Sequence, residues 1–137
     1  MIIDAKNLIA GRLGSFAAKQ ALMGEEISIV NAELAVITGN KKFVINKYRI
    51  LTSKGNPQHG PFVPRSSDRL LKRIIRGMLP HKQEKGKSAL KRIKCFIGIP
   101  NAFQGKEFIT IDKANVLKMQ NLKYLSIKEL CNDLKQR

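Results

Sequence analysis

The sequence predicts an α/β fold built on a parallel sheet, and three observations predict it. Two short apolar segments, Ile2-Ile3-Asp4 and Ile27-Ser28-Ile29-Val30-Asn31, flank a stretch with helical periodicity. A strand, a helix and a strand within roughly 30 residues make a βαβ unit, which favours parallel strands and a right-handed crossover. A third apolar segment, Cys95-Phe96-Ile97, follows a second helical region. The chain has 137 residues with 43% hydrophobic content, which fits one domain over residues 1–137 whose core needs neither disulfide nor metal.

The elements follow in order. Ile2-Ile3-Asp4 opens the first strand. Gly11-Arg12-Leu13-Gly14-Ser15 leads into a helix with Leu13, Phe16, Ala17 and Ala21 on one face, and Gly24 stops it. Ile27 to Asn31 is the second strand, and Ala35-Val36-Ile37-Thr38 either extends it or forms a short strand of its own. Gly39-Asn40 breaks the chain, and Lys41 to Leu51 reads as a basic helix. Residues 53–65, with Pro57, Pro61, Pro64, Gly55 and Gly60, exclude regular structure; a loop this long in a small domain is functional or disordered. Ser66-Ser67 then caps a helix. At about 100° per residue, Leu70, Leu71, Ile74, Ile75 and Met78 fall on one side of it and Arg69, Lys72, Arg73 and Arg76 on the other. Gly77 and Pro80 end it, and a basic run from His81 to Lys87 precedes a short helix with Lys91 and Arg92. Cys95-Phe96-Ile97 is the third strand, closed by Gly98-Ile99-Pro100, and Leu122 to Leu125 reads as a fourth. Ser126-x-x-Glu129 is a capping box, after which Ile127, Leu130, Cys131 and Leu134 recur at helical spacing.

Charge narrows the function. The chain holds 26 Lys+Arg against 10 Asp+Glu, a formal charge of +16. The excess is concentrated: residues 34–94 carry 16 basic and two acidic residues, whereas residues 1–33 carry three and four. Such a protein repels itself unless a polyanion neutralises it, and nucleic acid is the default partner. A membrane surface fits less well, since that use calls for bulky aromatic anchors and the chain has no Trp. No apolar run approaches the roughly 20 residues of a membrane span, and Met1 to Lys6 lacks the pattern of a signal peptide. The two cysteines, Cys95 and Cys131, form no disulfide framework, as expected of a cytosolic protein. A solvated helix face normally mixes signs. Between Arg69 and Arg76 the polar face is cationic throughout, with Asp68 at the N-terminal end where it suits the dipole.

Catalytic patterns are thin. Gly11-x-x-Gly14 follows a strand and opens a helix, and Glu33 lies near where a ribose-binding carboxylate would fall. The three-glycine fingerprint and the Walker lysine motif are both missing, so the glycines read as tight strand–helix packing, with some phosphate contact by Arg12 at the helix N-terminus. His59, His81, Cys95 and Cys131 have no metal-ligand spacing. The scattered carboxylates form no general acid–base pair. Of the two aromatics in basic sequence, Tyr48 reads as core and Phe62 as the better candidate to stack on a base.

Several blocks stand in a recognisable order. They are Ile3-Asp4-Ala5 with Gly11-Arg12-Leu13, Val30-Asn31-Ala32-Glu33 with Val36-Ile37-Thr38-Gly39, and His59-Gly60-Pro61-Phe62. Arg76-Gly77-Met78-Leu79-Pro80-His81-Lys82, Gly86 with Gly98-Ile99-Pro100, and Lys123-Tyr124-Leu125 follow. Through these blocks the chain resembles, over essentially its whole length, the large-subunit ribosomal protein family numbered thirteen in its archaeal/eukaryotic form. The resemblance implies a three-layer α/β/α domain with a four-stranded, mainly parallel sheet. It implies a non-enzymatic, cytoplasmic component of the large ribosomal subunit that supports assembly. Its partners would be large-subunit ribosomal RNA and neighbouring ribosomal proteins, with no cofactor, metal, membrane or small-molecule substrate. On that reading the basic segment at about 41–94 binds RNA. The leading candidates are Arg65, Arg69, Lys72, Arg73 and Arg76, with Lys82, Lys85 and Lys87. Lys41, Lys42, Lys47 and Arg49 form a second group, Lys54 and His81 complete the set, and Arg12 stands at its margin. The competing readings are a free nucleic-acid-binding regulator and, behind it, a nucleotide-binding enzyme.

Overall fold

The structure is a computed structural model that describes residues 1–120 and 123–136. The βαβ unit forms as read: β1 is Ile2–Asp4, α1 is Ala10–Leu22 and β2 is Ile27–Val30. β1 and β2 pair in parallel, with Ile3 opposite Ile29. Leu13, Ala17 and Ala21 are buried along α1, and Gly24 takes a φ of +108° just beyond it.

The third strand is displaced from its expected position. β4 spans Ile93–Cys95 and pairs in parallel with β2, Ile27 opposite Ile93. Lys94 hides this strand in the sequence, because it points away from the buried Ile93 and interrupts the apolar run. The preceding helix, α4, is Glu84–Arg92 and takes in Lys85 and Lys87, which the sequence reading placed in the basic run before the helix.

Among the described residues the parallel sheet has three strands in the order β1-β2-β4, where four were expected. At the open edge of β1, Ile109 makes only an isolated parallel bridge to Ile3, with its N–H donating to the Ile2 carbonyl at 2.9 Å. The expected fourth strand belongs elsewhere. β5 is Tyr124–Ser126 and pairs antiparallel with β3, Val36–Thr38, Ile37 opposite Leu125; Leu122 lies outside the described residues. Asn31, in the left-handed region at φ 53°, and a single 3-10 turn at Ala32–Leu34 swing the chain out of the first sheet. Val36–Thr38 therefore forms a strand of its own and does not extend β2.

Among the described residues, three more α-helices join these: α2 is Lys41–Ser53, α3 is Ser67–Arg76 and α5 is Ile127–Lys135. Half of the capping box forms, as the Glu129 N–H donates to Ser126 Oγ at 3.2 Å. Ile127, Leu130, Cys131 and Leu134 are buried as their spacing predicts. α5 packs on α2 and α3, and α3 packs on α1. One continuous apolar cluster joins Ile3, Ile29 and Ile93 of the sheet to Leu13, Leu71, Ile75 and Leu130 of the helices. Burial of this kind is the main favourable term in folding.

Candidate nucleic-acid interface

Helix α3 is two-faced because its sequence is. Leu70, Leu71 and Ile75 are buried; Ile74 is only half-buried, and Met78, past the helix end, is exposed. The predicted apolar arc is thus narrower than its five residues. Ser66 takes the N-cap backbone conformation, but its hydroxyl meets the Asp68 carboxylate and caps no backbone N–H. Asp68 itself sits in the first turn, favourably placed for the helix dipole. On the outer side Arg69 and Arg76 are exposed and Lys72 and Arg73 half-buried.

Gly14 of α1 lets α3 approach. A Cβ at this position would stand 3.0 Å from Met78 Sδ, while Gly11 faces open space. Of the Gly11-x-x-Gly14 pair, only Gly14 serves a close contact, toward Met78 and Ile75 and not toward a strand, which corrects the strand–helix packing read from sequence. Arg12 donates from Nη1 to the Lys113 carbonyl at 2.8 Å and holds the 3-10 turn at Asp112–Ala114.

The loop before α3 is pinned to it. Arg73 Nη1 donates to the Phe62 carbonyl at 2.7 Å. Gly55 has φ +92°, and a Cβ there would collide with the Gly60 carbonyl oxygen at 2.0 Å, so only glycine closes this turn. Phe62 is 69% exposed. It borders an open groove of about 330 Å³ together with Pro64, Arg69, Lys72, Arg73, Arg76 and Leu90. Arg65 is exposed at the start of α3. The loop thus joins the basic helix and extends its surface.

Beyond α3, a tight turn and the start of α4 carry His81, Lys82, Lys85 and Lys87. The His81 N–H donates to the Leu79 carbonyl at 2.7 Å, and its ring is half-buried. Gly86 lies beneath Pro80; a Cβ on it would fall 2.1 Å from the Pro80 carbonyl oxygen. This contact fixes α4 against the turn. Lys82, Lys85 and Lys87 are exposed on the turn and the first turn of α4. Lys94, missed by the sequence reading, is exposed beside Arg69 and Lys72 in a second shallow groove. Strand alternation from buried Ile93 would have found it.

Helix α2 contributes differently. Its Arg49 donates from Nε to Asp133 Oδ2 at 2.8 Å and from Nη2 to the other carboxylate oxygen, which clamps α2 to α5. Lys41 pairs with Glu129 at 3.3 Å. Both cations are partly neutralised by acids of α5. Lys42, Lys47 and Lys54 are exposed, the last two beside Phe43, Ile50 and Leu51. By contrast, Arg69, Arg76, Lys82, Lys85 and Lys87 take part in no ion pair among the described residues.

The remaining chemistry is structural. Glu33 accepts from the Gly98 N–H at 3.0 Å, so its carboxylate ties down the loop after β4. Burial pushes the Cys95 thiol up to about 12, against the opposing pull of Lys72, and burial likewise raises the Cys131 thiol. Neither is an activated nucleophile. Among the described residues no cluster of His, Cys, Asp and Glu has the arrangement to hold a metal, and no helix is long and apolar enough to cross a membrane.

Comparison with known proteins gives one consistent answer. Residues 1–102 match the family described as Ribosomal protein L13. A large ribosomal subunit protein uL13 of Methanococcoides burtonii is 44% identical over 133 residues, covering 97% of this chain and 96% of that protein. The protein of the same name from Methanosarcina barkeri is 45% identical over 94% of this chain and 93% of its own length. That of Methanocaldococcus jannaschii is 44% identical over 97% and 96%.

Proposed function

The chain belongs to the ribosomal protein L13 family, and from that premise we propose that it binds large-subunit ribosomal RNA through the cationic side of α3 and the segments flanking it. It is a structural component of the large ribosomal subunit, acts in the cytoplasm where that subunit works, and is not an enzyme. The relatives do not favour a free regulatory protein. The observation that carries the RNA reading is the one-sided outer face of α3, where Arg69, Lys72, Arg73 and Arg76 stand without an acidic residue among them.

The mechanism is electrostatic and architectural. The apolar core holds α3, the 53–65 loop and the turn at residues 77–83 as one cationic edge. Lysine and arginine there neutralise phosphates of RNA segments that must lie close together. Such contacts position backbone and read shape more than sequence. Within the proposed set, Arg65, Arg69, Lys72, Arg76, Lys82, Lys85 and Lys87 meet phosphate, with Lys42, Lys47, Lys54 and His81 at the margins. Arg49, Lys41 and Arg12 act mainly by holding α5 and the Lys113 segment. Arg73 divides its donors between the loop and the RNA. We also read residues 1–137 as one domain with helices layered on both faces of the sheet, and neighbouring ribosomal proteins as further partners.

Co-sedimentation tests this reading. The parent chain stays with the large subunit at stoichiometric level after a moderate-salt wash. A chain with Arg69→Gln and Arg76→Gln washes off at lower salt while keeping its fold. Equal retention of both overturns the assignment of this edge.

A further inference from the structure

The groove beside α3 has an apolar wall that phosphate neutralisation does not use. Phe62, 69% exposed, Pro64 and Leu90 form that wall, and Arg69, Lys72 and Arg76 form the rim. The phenyl ring is held without being buried. Arg73 fixes the backbone carbonyl of Phe62 at 2.7 Å. Gly60 lies directly against the ring, since a Cβ there would stand 3.1 Å from two ring carbons. An aromatic ring kept in water contributes little to the fold, yet its backbone is anchored by Arg73 and Gly60 packs against its edge. A fixed ring rimmed by cations suits a nucleobase, which offers a π-face to the ring and its own phosphate to the rim.

We infer that this groove takes one unpaired nucleobase of ribosomal RNA, stacked on Phe62, with Arg73 as the positioning residue that holds the ring for it. The inference rests on the RNA-binding reading above and goes beyond it by separating a stacking contact from the phosphate contacts. An apolar protein segment in the groove would need only a greasy wall, which leucine supplies as well as phenylalanine. A base needs the π-face.

The test measures binding of the full chain to large-subunit RNA across a salt series, with thermal unfolding of each variant as the control for folding. Phe62→Leu and Phe62→Ala weaken binding about 5- to 150-fold, the worth of one base–aromatic stack, and leave the salt slope unchanged. Phe62→Trp binds at least as well as the parent. In an Arg73→Gln background the loss caused by Phe62→Ala shrinks, because the ring is no longer held. Phe62→Leu binding as tightly as the parent overturns the stacking site and points to a protein occupant. Equal losses from Phe62→Ala in the two backgrounds overturn the role of Arg73. Either result leaves the salt slope of the parent steep; a parent that binds without salt dependence overturns the RNA reading itself and this inference with it.

Discussion

Two glycines and a cysteine show how single positions are constrained. Gly86 and Gly14 are both helical and both tightly packed, but against different neighbours. The Cβ of Gly86→Ala would meet the Pro80 carbonyl at 2.1 Å, which is backbone and cannot step aside. That of Gly14→Ala would meet the end of Met78 at 3.0 Å, which is flexible. Gly86→Ala therefore destabilises by about 1–3 kcal/mol or more, whereas Gly14→Ala stays close to neutral, its helix-propensity gain of about 1 kcal/mol offsetting the displaced Met78. Denaturant unfolding of the two variants checks this, and equal effects would contradict it. Cys95 provides a pH test. Its folded thiol is held near 12 by burial, above the ordinary value of 9.0. The unfolded chain therefore loses its proton first, and stability falls as pH rises from about 9 toward 12. Below that window the group contributes no pH dependence. At about pH 8 the folded protein resists alkylation at Cys95, and the unfolded chain does not. Rapid labelling of the folded protein would contradict the burial argument.

Helix α3 separates folding from binding. Ile75→Ala removes fully buried volume and costs about 2–5 kcal/mol. Ile74→Ala costs clearly less, because Ile74 is half-buried. Both leave RNA affinity unchanged under conditions where the protein is folded. Arg69→Gln with Arg76→Gln does the reverse, lowering the salt slope by up to about two phosphate contacts while leaving thermal unfolding near the parent. The periodicity of α3 and α5 was legible because each buries one stripe against a contiguous core. The βαβ start was legible for the same reason. What sequence reasoning missed has physical causes. Lys94 interrupts β4, so the apolar signal began at Cys95, two residues after the strand's true start at Ile93. The partner of Tyr124–Ser126 depends on a left-handed Asn31 that redirects Val36–Thr38, and this long-range pairing leaves no local pattern. In the basic segment, composition located the cations but could not rank them. Arg49 and Lys41 differ from Lys42 and Lys47 only because α5 brings Asp133 and Glu129 to them across more than 80 positions.

For the molecule as a whole, the central claim is that a folded, self-repelling edge is completed by RNA phosphate. A net charge of +16 with most of its excess in residues 34–94 is a constant cost to the free protein. The acids of α5 relieve it around α2, at Lys41 and Arg49. The edge formed by Arg69, Arg76, Lys82, Lys85 and Lys87 has no such relief among the described residues. The most direct measurement is the salt dependence of binding to purified large-subunit RNA, plotted as log affinity against log salt concentration. With about six to ten phosphates neutralised, affinity falls by roughly 10³–10⁵ between about 50 and 200 mM salt, by analogy with duplex DNA. A slope near zero, with binding that survives the whole range, would contradict the account.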